Sequence, residues 1–247
     1  MATKGSASAG TKKRARRVAS KPKDLVVAFC WDMSGSMGIC HAETVEGFNE
    51  YVMDLQAEED ELAAKHGEGV YTRMSLTIFD TVFEEWYTAV PISEIPVIGM
   101  DRYVPRGGTA LFDAIARTIT NTEKQIREQG GDPRVLFVIN TDGEENSSTE
   151  YGLYQNGAER LRKLIKRYEK KGWTFSWLAG TLDAVRQVAA VGAVAGNVMT
   201  FTSASPTSTD ASYGNLSKAT SMLRSAKNDS TQTLYEDAGV SNDVTDA

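Results

Sequence analysis

The chain has 247 residues, 41% hydrophobic and 24% charged, with two cysteines and a formal net charge of −6. That length supports one sizeable α/β core or two small ones, and the composition is that of an ordinary soluble globular protein. Two cysteines exclude a disulfide framework, and no apolar run approaches the ~20 residues of a membrane-spanning helix.

Residues 1–23 carry eight Lys/Arg and no acid. Rich in Ala, Ser and Gly and without periodicity, they are expected to be disordered. They also lack the apolar core of a signal peptide, so a cytoplasmic location is expected. KKRARR at 12–17 reads either as a hook for nucleic acid or an acidic partner, or as a solvated tail. Residues 24–247 hold 19 basic against 33 acidic residues. Such an acidic body argues against nucleic-acid binding by the folded part, beyond weak attraction to the basic tail.

Asp24 to Trp31 is a continuous apolar run, the pattern of a strand buried on both faces. Cys30 within it reads as a buried small hydrophobe, and Cys40–His41 lacks the second ligand pair of a zinc site. Val45, Phe48, Val52, Leu55 and Leu62 predict a helix over about Thr44 to Lys65, with Glu46, Glu50, Asp54, Glu58 and Glu61 on its solvated face. Met74, Leu76 and Ile78 alternate, Asp80-Thr81 supplies a turn, and Val82 to Tyr87 returns, which is an antiparallel hairpin at a sheet edge. After a loop over 92–106, Leu111, Ile115, Ile119 and Ile126 predict a helix over Ala110 to Glu128.

Arg134 to Asn140 is a second buried strand, and Tyr154, Ala158, Leu161, Ile165 and Tyr168 mark the following helix. Trp173 to Ala179 is a strand, Asp183 to Val191 a short helix, and Val198 to Phe201 a last strand. Leu216, Ala219 and Leu223 fit a closing helix. From Asn228 onward there are five acids and no base, and this stretch is expected to fray. Strands alternating with helices imply an α/β fold, doubly wound, with a mostly parallel central sheet, one short antiparallel edge strand and helices on both faces. The expected organisation is one domain over residues 24–226, a basic tail over 1–23 and an acidic flexible tail over 227–247.

Five oxygen-bearing residues stand out: Asp32, Ser34 and Ser36 in WDMSGSM, Thr109 in RGGTALFDAI, and Asp142 in INTDGEEN. The first group and Asp142 follow apolar strands, and ligands of open α/β sheets bind outside the carboxyl ends of strands. Two acids and three hydroxyls form a hard-oxygen set suited to a small divalent cation, Mg²⁺ or Mn²⁺. Each residue also has a plain alternative. Asp32, Ser34 and Ser36 are ordinary turn formers, and Thr109 and Asp142 could cap the helices that follow them.

This pattern resembles the von Willebrand factor type A (VWA) family, whose metal-ion-dependent adhesion site is written D-x-S-x-S, then a distant T, then a distant D. All five positions match, and the resemblance spans roughly Asp24 to Phe201. GWTFSWLAGTLDAV makes the second half most similar to stand-alone VWA proteins of bacteria and their phages. The resemblance implies that Ser34, Ser36 and Thr109 ligate the ion directly, with Asp32 and Asp142 acting directly or through water. It also implies a non-enzymatic module that captures a Glu or Asp carboxylate of a protein partner, with Met33, Met37, Tyr103, Arg106, Glu144 and Glu145 lining the rim. Such a module could serve as the adaptor of a AAA+ ATPase carried on another chain, since no G-x-x-x-x-G-K-[ST] motif occurs here. Two other readings stay open. One is a metal-dependent phosphohydrolase with Asp32 as nucleophile, the other a structural component of a phage or cell.

Overall fold

A computed structural model describes residues 22–202 and 204–242. Residues 1–21 of the tail expected over 1–23, and residues 243–247 of that expected over 227–247, lie outside the described residues. Six strands form one sheet: β1 (Leu25–Asp32), β2 (Thr72–Phe79), β3 (Phe83–Pro91), β4 (Arg134–Thr141), β5 (Trp173–Ala179) and β6 (Val198–Thr200). Their order is β3-β2-β1-β4-β5-β6, parallel except for the β2–β3 hairpin at one edge. The α/β fold expected from the sequence is the one observed.

The apolar runs are continuous because both sides of the sheet are covered. From β1, Leu25, Val27, Phe29 and Trp31 enter one core, which is closed by α1 (His41–His66), α5 (Pro206–Ser225) and α6 (Leu234–Asp237). Val26, Ala28 and Cys30 enter the other, closed by α2 (Leu111–Gln129), α3 (Gly157–Glu169) and α4 (Leu182–Ala190). Among the described residues no helix is long and apolar enough to cross a membrane. Helix α1 begins earlier than its periodicity predicts, because a 3-10 turn over Gly35–Cys40 feeds straight into it. Most of its acidic stripe faces solvent, but Glu58 pairs with the buried Arg224 at 3.0 Å. Tyr154 is not part of α3. Asn156 takes a left-handed conformation just before the helix starts, and Tyr154 stays fully exposed.

Residues 227–242 are not a flexible tail. Leu234 and Tyr235 are completely buried, Tyr235 Oη and Ser176 Oγ share a hydrogen bond of 2.6 Å, and Thr200 N donates to Asn242 O at 2.9 Å. The buried Arg134 donates to Leu223 O (2.6 Å) and Ala226 O (2.8 Å), a cation placed at the carbonyl end of α5. Lys23 also belongs to the folded body, bridging Asp132 (2.7 Å) and Asp229 (2.6 Å). Composition hides this, since one Leu-Tyr pair in an acidic stretch has no period. Tyr235→Ala should therefore cost about 3–5 kcal/mol, as for other large buried aromatics. A thermal melt checks it, and an unchanged midpoint would show that this segment does not hold the core together.

Candidate metal centre

The strand order reverses between β1 and β4, which lie side by side and send their connections in opposite directions. The crevice at such a switch point, at the carboxyl ends of the strands, is where open α/β sheets bind ligands. Asp32 is the last residue of β1, and Asp142 follows the last residue of β4.

Asp32 is held from three sides. Ser34 N donates to its Oδ1 at 2.7 Å, Thr141 Oγ1 donates to its Oδ2 at 2.6 Å, and the Tyr103 hydroxyl donates to its backbone carbonyl. Ser36 Oγ donates to Asp142 Oδ1 at 2.7 Å and lies 3.2 Å from Ser34 Oγ. The loop bearing Thr109 is tied to the first loop by Arg106 N donating to Met33 O (2.8 Å) and Gly35 N to Gly107 O (3.2 Å). Gly107 takes a positive φ of 66° there, a conformation that glycine adopts without strain.

Gly143 reveals where the hydroxyls converge. A Cβ placed on it would stand 3.0 Å from Thr109 Oγ1, 3.3 Å from Ser36 Oγ and 3.6 Å from Ser34 Oγ. The structure thus brings all five sequence-predicted residues to one rim, with the three hydroxyls converging where a side chain on residue 143 would stand. Among the described residues no three His, Cys, Asp or Glu side chains cluster as a metal site, so any metal centre here must use hydroxyls. Thr109 and Asp142 are not helix caps: α2 is preceded by Ala110 with no side-chain cap, and α3 begins only at Gly157. Asp32 does close a turn onto Ser34 N, so the turn-forming role holds for it alongside its place in the centre.

The electrostatics favour a cation. Burial pushes the Asp32 carboxyl up to about 7, against the bonds from Thr141 and Ser34, and the nearby Asp142 pushes it further. Burial also raises Asp142, against its bond from Ser36. Two desolvated carboxylates side by side are costly to ionise unless positive charge is supplied. The residues present fit a small hard divalent ion: neutral hydroxyl oxygens converging beside two carboxylates.

The rim differs from expectation. Met33, Met37, Tyr103 and Glu145 are all buried, and only Arg106 and Glu144 are exposed. The methionines pack into the interior, and Tyr103 stacks on Trp31 at 4.3 Å while holding the Asp32 carbonyl. Arg106 is engaged with Asp80 (2.7 Å) and Glu84 (2.6 Å). Sequence reasoning missed Thr141, which fixes Asp32, and Asn146, which fixes Thr109. The one signal available for Thr141 was its place beside Asp142 at the strand end.

No family model and no curated protein sequence matches the chain. Solved structures do. A variant of the PilB minor pilin from Streptococcus sanguinis is 11% identical with a TM-score of 0.57, over 90% of this chain and 65% of that one. The vWF domain of the type V pili tip protein Mfa5 from Porphyromonas gingivalis is 10% identical with a TM-score of 0.56, over 82% of this chain and 97% of that one. A von Willebrand factor type A protein from Catenulispora acidiphila is 13% identical with a TM-score of 0.50, over 79% and 42%. The chain therefore spans almost the whole of the isolated Mfa5 domain but less than two thirds of the other two proteins. At these identities the likeness concerns the fold. Its parallel sheet, single antiparallel edge strand and two-sided helical cover are those of a von Willebrand factor type A domain.

Proposed function

We propose that the chain is a metal-dependent protein-binding module, in which Mg²⁺ or Mn²⁺ held by Ser34, Ser36, Thr109, Asp32 and Asp142 captures a Glu or Asp side chain of a partner protein. The observation that carries this reading is the convergence of three hydroxyls on Gly143, backed by two buried carboxylates. When bound, the ion supplies an electrophilic position for one further anionic ligand. The protein's own residues do the rest. Asp142 and the hydroxyls point their oxygens inward, and Thr141 and Ser34 hold the Asp32 carboxylate in place. The three hydroxyls add no charge, so beyond the two aspartates nothing in the centre opposes a further anionic ligand from a partner.

The phosphohydrolase reading is weaker. A nucleophilic carboxylate must reach its substrate, whereas Asp32 is fully buried. Arg106, a nearby cation that could clamp a phosphate, is committed to two carboxylates. Service as the adaptor of a AAA+ ATPase in the cytoplasm is the specific form of the binding reading, and the pilus proteins of similar fold show that the fold alone does not choose the partner. A structural role in a phage or cell would leave the centre without a ligand to capture.

The test is calorimetric titration of Mn²⁺. One ion should bind per folded chain, and Asp32→Ala should weaken binding more than Ser36→Ala, since it removes formal charge. An unchanged isotherm in Asp32→Ala would reject the site. Partner capture in Mg²⁺ but not in EDTA then checks the role.

A further inference from the structure

The five residues of the centre come from three loops, and their mutual hydrogen bonds do not reach Thr109. The link is Asn146. Its Oδ1 accepts from Thr109 N at 2.8 Å, and its backbone N donates to Thr109 O at 3.0 Å, with Ser147 N adding a second donor at 3.2 Å. Thr109 is thus gripped through both its amide and its carbonyl by the loop that follows Asp142. The grip is itself oriented, since Ser147 Oγ donates to Asn146 Oδ1 at 2.7 Å. It also requires a glycine at 108. A Cβ there would stand 2.7 Å from Asn146 Oδ1 and 2.4 Å from Ser147 Oγ.

Two buried carboxylates anchor the same loop to α2 by a reciprocal exchange. Glu145 accepts from Phe112 N in the first turn of α2 (2.8 Å) and from Ser148 N (2.7 Å) in its own loop. In return Asp113 of α2 accepts from Thr149 N (2.8 Å) and Tyr151 N (2.7 Å) of that loop. The loop and helix are thus tied together from both sides, and Asn146 is the member whose side chain bonds to Thr109 of the centre.

We propose that Asn146 is a positioning residue for the metal centre: its carboxamide oxygen fixes Thr109, and so places the Thr109 hydroxyl opposite Asp142 and the two serines. This rests on the metal-binding reading. Small hard ions tolerate little error in oxygen distance, so a displaced Thr109 is a lost ligand. Changes to groups that orient metal ligands weaken metal binding by about 10–100-fold. Asn146 is exposed, so its truncation opens no core cavity. Loss of affinity without loss of stability therefore distinguishes positioning from packing.

The experiment compares wild type, Asn146→Ala and Asn146→Asp by Mn²⁺ titration, and by hydrogen exchange of the Thr109 amide in metal-free protein. Asn146→Ala should bind Mn²⁺ at least about tenfold more weakly and release the Thr109 amide to faster exchange, with its thermal midpoint close to wild type. Asn146→Asp keeps an acceptor at the same place and should restore both properties. Wild-type affinity in Asn146→Ala, an unchanged Thr109 exchange rate, or failure of Asp to restore either would overturn the proposal. A wild-type chain that binds no Mn²⁺ would overturn the metal reading and this proposal together, so the wild-type titration separates the two failures.

Discussion

Gly143→Ala is expected to abolish metal binding while leaving the fold intact. The new methyl would stand 3.0 Å from Thr109 Oγ1 and 3.3 Å from Ser36 Oγ, crowding the oxygens that an ion at this centre would share. Bonds from Mg²⁺ to oxygen are about 2.1 Å, so a carbon this close to the same oxygens competes with the ion for room. The backbone tolerates the change, because Gly143 is not among the glycines of positive φ. The contacts at 3.0 and 3.3 Å require the Thr109 and Ser36 hydroxyls to give by a few tenths of an ångström, a displacement of the ligands themselves. Mn²⁺ affinity should fall by about 100-fold or more, at or beyond the upper end for residues around a ligand set. Calorimetry with an unaltered isotherm would mean that the ion, if any, is held elsewhere.

The other large effect concerns pH. Without a divalent ion, stability should fall as pH rises from about 4 to about 7, the window between the unfolded and folded titration of Asp32. The direction follows from proton counts. Burial holds the Asp32 carboxyl at about 7 in the folded chain, and the unfolded chain releases the same proton near 3.9. Within that window the folded state binds more protons, so its advantage is complete at low pH and drains away as pH climbs. At about 1.4 kcal/mol per tenfold in proton affinity, the loss reaches about 4 kcal/mol. Asp142, raised by burial, acts in the same sense. Asp113 runs the other way: burial pushes it up, but the Glu150, Tyr151 and Thr149 amides together outweigh that. Its contribution is therefore lost only below about pH 4.

Asp32→Asn should remove most of this loss, because the amide can donate to Thr141 Oγ1 where the carboxylate accepted. The variant should melt higher than wild type at pH 8 without metal, and bind no Mn²⁺. In wild type, Mn²⁺ should raise the melting point more at pH 8 than at pH 5, with proton release on binding at the lower pH. A metal-free melting point that is flat between pH 5 and 8 would show that the cost of ionising Asp32 is met by the protein itself.

Much of the fold was legible in residue order. LVVAFCWD and RVLFVINT announce buried parallel strands because strands covered on both faces have no polar side. The hairpin at Asp80-Thr81 was legible from alternation on either side of a turn. The segment with Leu234 and Tyr235 was not, because its apolar content is too small to show a period. Its burial depends on a niche built by β5, β6 and α5. Tyr154 misled for the opposite reason. It falls in step with the helical period of α3, but Asn156 breaks the chain direction before the helix begins.

The same division runs through the centre. The identities of its five oxygen donors, and the order in which they occur, were set in the sequence, since the chemistry of a hard cation selects residue types directly. Position was decided only by tertiary structure. Met33, Met37 and Glu145 sit close to the motif residues in sequence, yet they are buried, because a side chain's direction depends on what packs against it. Thr141, Gly143 and Asn146 lie in the INTDGEEN segment, but the segment itself does not say what each of them touches. Asn146 matters because it joins two loops more than thirty residues apart through hydrogen bonds of 2.8 and 3.0 Å to Thr109, Thr141 because it bonds Asp32, and Gly143 because the three hydroxyls converge on it. Residue type determines what a site can ligate. The distances that let it do so are long-range properties, fixed by the sheet's crossover between β1 and β4 and by the loops clamped above it.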